Sequence, residues 1–158
     1  MNLTPRLMRL ILNLYGPYVG AGICVTHISD DWRELHVSLK LHWYNRNAVG
    51  THFGGSLYSM VDPHFMLLLM KRLGKSYIVW DKSAQIDFLR PVRGPVHAVF
   101  RIEKEEEERI REQTRHGEKY LPEFEVFIND EEGQTVAVVK KLLYVRLKKG
   151  APENSDTP

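Results

Sequence analysis

Apolar residues recur along this chain with two different periods, and the changes from one to the other divide it into elements. Residues 3–14 place Leu3, Leu7, Leu10, Ile11 and Leu14 at helical spacing, with Arg6 and Arg9 between them. Thr4-Pro5 is a start signal, because a threonine hydroxyl caps the first amides and proline suits the first helical position. Gly16, Pro17, Gly20 and Gly22 break the pattern. Residues 23–28 then read as a strand and Asp30-Asp31 as a turn. Residues 32–41 alternate, with Leu35, Val37, Leu39 and Leu41 on one face and Glu34, His36, Ser38 and Lys40 on the other. These two strands form a hairpin.

Residues 42–53 have no period and read as a loop. From Gly55 to Leu73, the residues Leu57, Met60, Val61, Phe65, Leu67, Leu68, Leu69 and Met70 cover nearly the whole circumference of a helix, so the helix is buried on most sides. Pro63 falls inside it, removes a hydrogen bond and predicts a kink near Ser59; Gly74 is the stop. Residues 77–90 read as a strand with Ala84, Ile86 and Phe88 opposite Ser83, Gln85 and Asp87, and residues 96–103 return as another. The charged run 104–119 predicts a solvated helix or a hairpin tip. Residues 123–128 and 135–147 alternate around a turn at 129–133. The pattern predicts an α+β domain over 1–149, with an N-terminal helix in 1–16, about six antiparallel strands bent around one long helix, and a disordered tail over 150–158. The open edges of such a sheet invite a second copy, as a dimer or a dimer of dimers.

Composition narrows the function. In 158 residues, 43% are hydrophobic and 27% charged, an ordinary globular balance, and the formal charge of +2 gives no broad surface for nucleic acid. A lone cysteine, Cys24, excludes an internal disulfide and any multi-cysteine metal site, and points to a reducing, cytoplasmic setting. His27, His36, His42 and His64 have no metal-ligand spacing. The apolar run Phe65–Met70 is far short of the roughly 20 residues a bilayer requires, so no membrane span is expected. Residues 3–14 fail as a secretory signal; a membrane-surface helix is the alternative to a helix packed on the domain.

Chemistry concentrates between Asn47 and Asp62. Gly54-Gly55 at a helix start lets a ligand approach the backbone, and the free first-turn amides point at it, suited to a carbonyl or oxyanion. Asp62 follows about two turns later on the same helix, where a carboxylate serves as general base or nucleophile. Ser59 reads as helix packing, since no base adjoins it. Arg90 and Arg93 stand in a turn that suits either solvent or a phosphate.

The pieces Gly50-Thr51-His52-Phe53-Gly54-Gly55 and Met60-Val61-Asp62-Pro63 resemble the central-helix motif of the hotdog-fold thioesterases, most closely the DUF4442 family, and Asp87-Phe88-Leu89-Arg90-Pro91 resembles the end of that fold's third strand. The resemblance covers about residues 20–147. It implies a hotdog fold and an acyl-CoA thioesterase-like hydrolase that needs no cofactor beyond the coenzyme A of its acyl thioester substrate. It also implies a site at a subunit interface, with Asp62 as the catalytic carboxylate, Gly54 as the carbonyl-polarising amide and Asn47 as an orienting amide. His52 is a further catalytic candidate; Phe53, Gly55, Tyr58, Ser59, Ser83, Arg90 and Arg93 are expected to line the substrate. Two departures stand out. Phe53 occupies the position of the family's histidine, which displaces His52 by one, and Pro63 follows the acid. A noncatalytic acyl-ligand binding protein is the alternative, and a dehydratase ranks last because it lacks a second acid and histidine pair.

Overall fold

The Leu7 amide donates to the Thr4 hydroxyl at 3.3 Å, so the first helix, α1 (Pro5–Leu14), starts where the threonine-proline pair predicts. The computed structural model describes residues 3–150. Of the expected tail, all but Gly150 lies outside the described residues. The expected break after α1 is instead a second helix, α2 (Gly16–Ala21), with Pro17 in its first turn. Gly22 ends it at φ 77°, and a side chain there would also meet the Lys40 carbonyl at 2.8 Å.

Strands β1 (Ile23–Ile28) and β2 (Glu34–Leu39) form the expected hairpin. Their inward rows, Val25 and Ile28 on one and Leu35, Val37 and Leu39 on the other, are buried. α1 lies along the free edge of β1 and is pinned there by Asn13, whose side chain donates to the Val25 carbonyl at 3.0 Å and accepts from the Val25 amide at 2.7 Å. One asparagine thus stands in for a neighbouring strand and blocks the edge. Met8 and Leu12 touch the core, while Leu7, Leu10, Ile11 and Leu14 face outward.

The central helix comes in two pieces, α3 (Gly54–Ser59) and α4 (His64–Leu73), separated by residues 60–63. Met60 and Val61 within the break, and Leu68 and Leu69 beyond it, have no exposed surface, as a helix apolar on most sides should. The remaining elements are β3 (Tyr77–Phe88), β4 (Val96–Arg101), α5 (Lys104–Gln113), β5 (Lys119–Tyr120), β6 (Glu123–Asp130) and β7 (Thr135–Leu147). The sheet runs β1-β2-β4-β6-β7-β3, antiparallel throughout, with β5 on β7; seven strands replace the expected six because residues 119–120 add a short one. Part of the charged run is not solvated. In α5, Glu107 is buried among Arg33, Arg72 and Arg111 at 2.6, 2.9 and 2.9 Å, and Ile110 is fully buried. β3, twelve residues long, is the sheet's other edge and carries exposed Trp80 and Phe88.

Candidate active site

The loop between β2 and α3 is held by two asparagines. Asn45 accepts from the His42 amide at 2.6 Å and donates to the carbonyls of Ala21 and Lys40 at 2.7 and 2.8 Å, tying the loop to α2 and β2. Asn47 accepts from the amides of Val49 and Thr51 and donates to the Thr51 hydroxyl at 2.8 Å and the His52 carbonyl at 3.1 Å. Both of its amide protons are therefore committed inside the loop.

His52 is 4% exposed. Its Nε2 lies 2.8 Å from the Gly94 carbonyl, which can only accept, so the ring donates there and leaves Nδ1 as a lone-pair acceptor. That Nδ1 is buried without a partner among the described residues. Burial lowers the ring's pKa against the opposing pull of the Gly94 bond, so His52 is neutral at pH 7. Phe53 follows as the N-cap of α3 at φ −67°, ψ 129°. The amides of Gly54 and Gly55 donate to no backbone or side-chain group among the described residues. Both glycines lie against aromatic rings. A Cβ at Gly54 would stand 3.0 Å from the tip of the Phe88 ring, and one at Gly55 2.4 Å from the Phe53 ring.

A cleft of ≈ 390 Å³ opens at this point, lined by Asn47, His52, Gly54, Leu57, Phe88, Leu89, Arg90 and Val92 among others. A second, of ≈ 490 Å³, lies across the helix tip against Phe53, Gly55, Ser56 and Ser59, with Tyr44 and Arg46 on its far wall. Ser59 donates back to the Gly55 carbonyl at 2.8 Å, the packing role its sequence context suggests. Arg90 pairs with Asp130, and Arg93 donates to the Val49 carbonyl at 3.4 Å. Ser83 is exposed on β3, away from both clefts.

Asp62 occupies a different place. It sits in the break between α3 and α4, its side chain 48% exposed, with Oδ1 3.2 Å from Nζ of Lys141. Tyr58 adjoins this pair: the Lys141 ammonium lies 5.5 Å from the centre of its ring. Gly54 and Asp62 are eight residues apart, roughly 12 Å along a helix axis, too far for one protomer's amide and carboxylate to meet at a single carbon atom.

A family model described as a domain of unknown function, DUF4442, matches residues 4–145. The chain belongs to the DUF4442 family. No curated protein matches it. Among solved structures, this DUF4442 chain is similar to PA5026 of Pseudomonas aeruginosa, a protein of unknown function designated a probable thioesterase, at 18% identity over 94% of this chain and 99% of that one, with a TM-score of 0.82. It is also similar to thioesterase HI1161 of Haemophilus influenzae, at 15% identity over 96% and 97% of the chains and a TM-score of 0.67. The PaaI protein of the E. coli phenylacetic acid degradation operon aligns at 19% identity over 90% and 91%, with a TM-score of 0.60. The fold is the hotdog fold.

Two residues of this DUF4442 protein that the motif does not include adjoin Asp62: Lys141, paired with it, and Asp81, paired with Lys141. A signal for the first was present. On β7, Val139, Lys141, Leu143 and Val145 share one side of an alternating strand, and a lysine in a buried apolar row demands a carboxylate. No helix among the described residues is long and apolar enough to cross a membrane. No cluster of three or more His, Cys, Asp or Glu side chains among them could hold a metal ion.

Proposed function

We propose that this protein hydrolyses an acyl-CoA thioester in the cytoplasm, in a site shared by two protomers. The observation that carries the reading is that Gly54, whose amide has no partner among the described residues, and His52, whose Nδ1 is buried without one, both line one largely apolar cleft. A donor so placed would hold the thioester carbonyl oxygen as it gains charge, worth roughly 3 kcal/mol at the transition state. His52 Nδ1 would accept a hydrogen bond from substrate or water. Asp62 of the second protomer would remove a proton from water as the water oxygen bonds to the carbonyl carbon. Collapse of the adduct then breaks the carbon–sulfur bond and returns the proton to the departing thiolate.

Two features support a shared site. The separation of roughly 12 Å within one chain leaves Gly54 without an acid, and the long β3 edge, with Trp80 and Phe88 exposed, is suited to pairing with a second copy. Arg90, which lines the cleft, and Arg93, which donates to the lining residue Val49, are the candidates for coenzyme A phosphates. The committed amide of Asn47 favours a second reading, an acyl-ligand binding protein without hydrolysis, because a loop amide with no free proton does not orient a carbonyl.

The test is thiol release from short, long and aromatic acyl-CoA substrates by the wild type and by Asp62→Asn and Asp62→Ala. Turnover that vanishes in both folded variants is the expected result. Calorimetric binding with no thiol release in the wild type would select the binding protein, and unchanged turnover in the variants would remove Asp62 from the mechanism.

A further inference from the structure

Lys141 is the group that this chemistry leaves unexplained. It is 1% exposed, and an ammonium at such depth is costly unless it is paired. Its Nζ lies 3.2 Å from Asp62 Oδ1 and 3.1 Å from Asp81 Oδ1. The Asp62 contact is a hydrogen bond, whereas Asp81 Oδ1 has no hydrogen bond of acceptable geometry and is held as an ion pair. Three elements therefore converge on one cation: β7, the break between α3 and α4, and β3.

Asp81 reaches this point through a local irregularity. The β3–β7 register pairs Asp81 with Leu143 but Ser83 with Leu142, so Lys82 is an extra residue, a bulge in the strand. Bulges re-aim side chains and are frequent next to active sites. Exposure falls in order through the cluster: the side chain of Asp62 is 48% exposed, that of Asp81 23% and that of Lys141 0%. Only Asp62 reaches well into solvent.

The other titratable groups facing the cluster carry no charge at neutral pH. Tyr58 comes from α3, its hydroxyl pushed up by burial and by Asp62. His64, at the start of α4, is fully buried and pushed down to about 3 by desolvation. Tyr18 of α2, 3.2 Å from His64 Nε2, is pushed up by burial. One ammonium and two carboxylates leave a net charge of −1. Burial works against the Lys141 ammonium, but the two carboxylates hold its pKa above the ordinary value. For Asp81, burial raises the pKa and Lys141 only partly offsets that.

Resting on the hydrolase reading above, we propose that Lys141 and Asp81 are positioning residues for Asp62. The ammonium fixes one oxygen of Asp62 and compensates one of the two carboxylates, so that the cluster keeps a single negative charge and presents it at the solvent-facing acid. Without the cation, two neighbouring carboxylates would be left with no counter-charge, and such a pair holds a proton to higher pH.

The test combines the pH profile of kcat/KM on an acyl-CoA with carboxyl carbon NMR titration of the same proteins, in Lys141→Met, Lys141→Arg and Asp81→Asn. Lys141→Met is expected to move the acid limb up by at least about one pH unit and to make one aspartate carboxyl titrate above the usual carboxylate range. Lys141→Arg keeps the limb in place, and Asp81→Asn moves it down. A purely structural role would lower turnover and leave every limb where it was. An unmoved carboxyl titration in folded Lys141→Met overturns the proposal; if that variant does not fold, an unmoved limb and titration in Asp81→Asn do so. NMR shifts in a protein that releases no thiol would sink the hydrolase reading and leave the charge coupling standing. Turnover with a silent titration would do the reverse.

Discussion

A site shared between protomers can be tested by deleting one group on each. Gly54 is the first residue of α3, the one helical position at which proline is favoured, because its N–H has no intrahelical partner. The residue before a proline must be extended, and Phe53 already is, at φ −67° and ψ 129°. Gly54→Pro therefore removes the proposed carbonyl donor while leaving the helix in place. The added Cβ meets only the exposed ring of Phe88, at 3.0 Å, which can turn aside. Loss of one such donor lowers turnover by about 10²–10³-fold; Asp62→Asn removes the acid. Either homodimer has both sites damaged. When the two variants are mixed, unfolded and refolded together, about half the dimers are hybrids, and each hybrid holds one doubly damaged site and one intact site. About a quarter of wild-type turnover should return, read as thiol release against the unmixed variants. If Gly54 and Asp62 acted within one protomer, every hybrid site would carry a lesion. A mixture no more active than its components, with hybrids verified by native mass spectrometry, refutes the shared site.

Other consequences are accessible to stability measurements. Glu107→Gln leaves the guanidiniums of Arg33, Arg72 and Arg111 crowded without their buried counter-charge and should cost about 2–4 kcal/mol in urea unfolding, discounted for the partial exposure of the arginines; an unchanged midpoint would mean the cluster is neutral for stability. His64, pushed from 6.5 to about 3 by desolvation, binds its proton more readily in the unfolded chain, so its contribution is complete above pH 6.5 and is lost as pH falls toward 3. The slope approaches about 1.4 kcal/mol per pH unit, and His64→Gln, which retains a partner for Tyr18, should flatten it. Leu10→Ser with Leu14→Ser, on the outward face of α1, should change stability by less than about 0.5 kcal/mol per site, and a larger loss in dilute protein would mean that this face is covered.

The elements that the sequence made legible are those with an uncontested period. β2, with Leu35, Val37 and Leu39 inward, and β7, with its buried row from Ala137 to Leu147, follow from alternation alone, and the Gly54 start of the central helix follows from the glycine pair. What was not legible depended on tertiary partners. α2 hides among residues that look like breakers, because Gly16, Pro17 and Gly20 form a helix only when Tyr18 is buried against His64. The charged run looks solvated because nothing local reveals that Glu107 meets three arginines from elsewhere in the chain. Of the expected site residues, Asn47, His52, Gly54 and Arg90 line one cleft. Asp62 was expected beside them as a member of the same helix. In the structure Asp62 lies instead in the break between α3 and α4, beside Lys141.

The break at Pro63 and the burial of Lys141 explain each other. Proline has no N–H to continue the α-helical ladder, and the chain before it tightens: the Val61 amide donates to Tyr58 at 3.0 Å and the Asp62 amide to Ser59 at 3.5 Å, both three residues back rather than four. A three-residue turn advances each side chain by about 120° instead of 100°, so the direction of residue 62 swings away from the one a regular helix would give it. The swing brings the carboxylate to β7 and β3, where a lysine without Asp62 would have only Asp81 for a partner. Proline inside a helix costs about 3 kcal/mol, and a buried ammonium short of a partner costs a similar amount. Pro63 lies at the N-cap of α4 rather than inside a helix, so that penalty is largely avoided, and the turn before it gives Lys141 its second carboxylate. Pro63, a departure from the thioesterase motif, thus accompanies the turn that brings Asp62 to Lys141, a cation the motif does not contain.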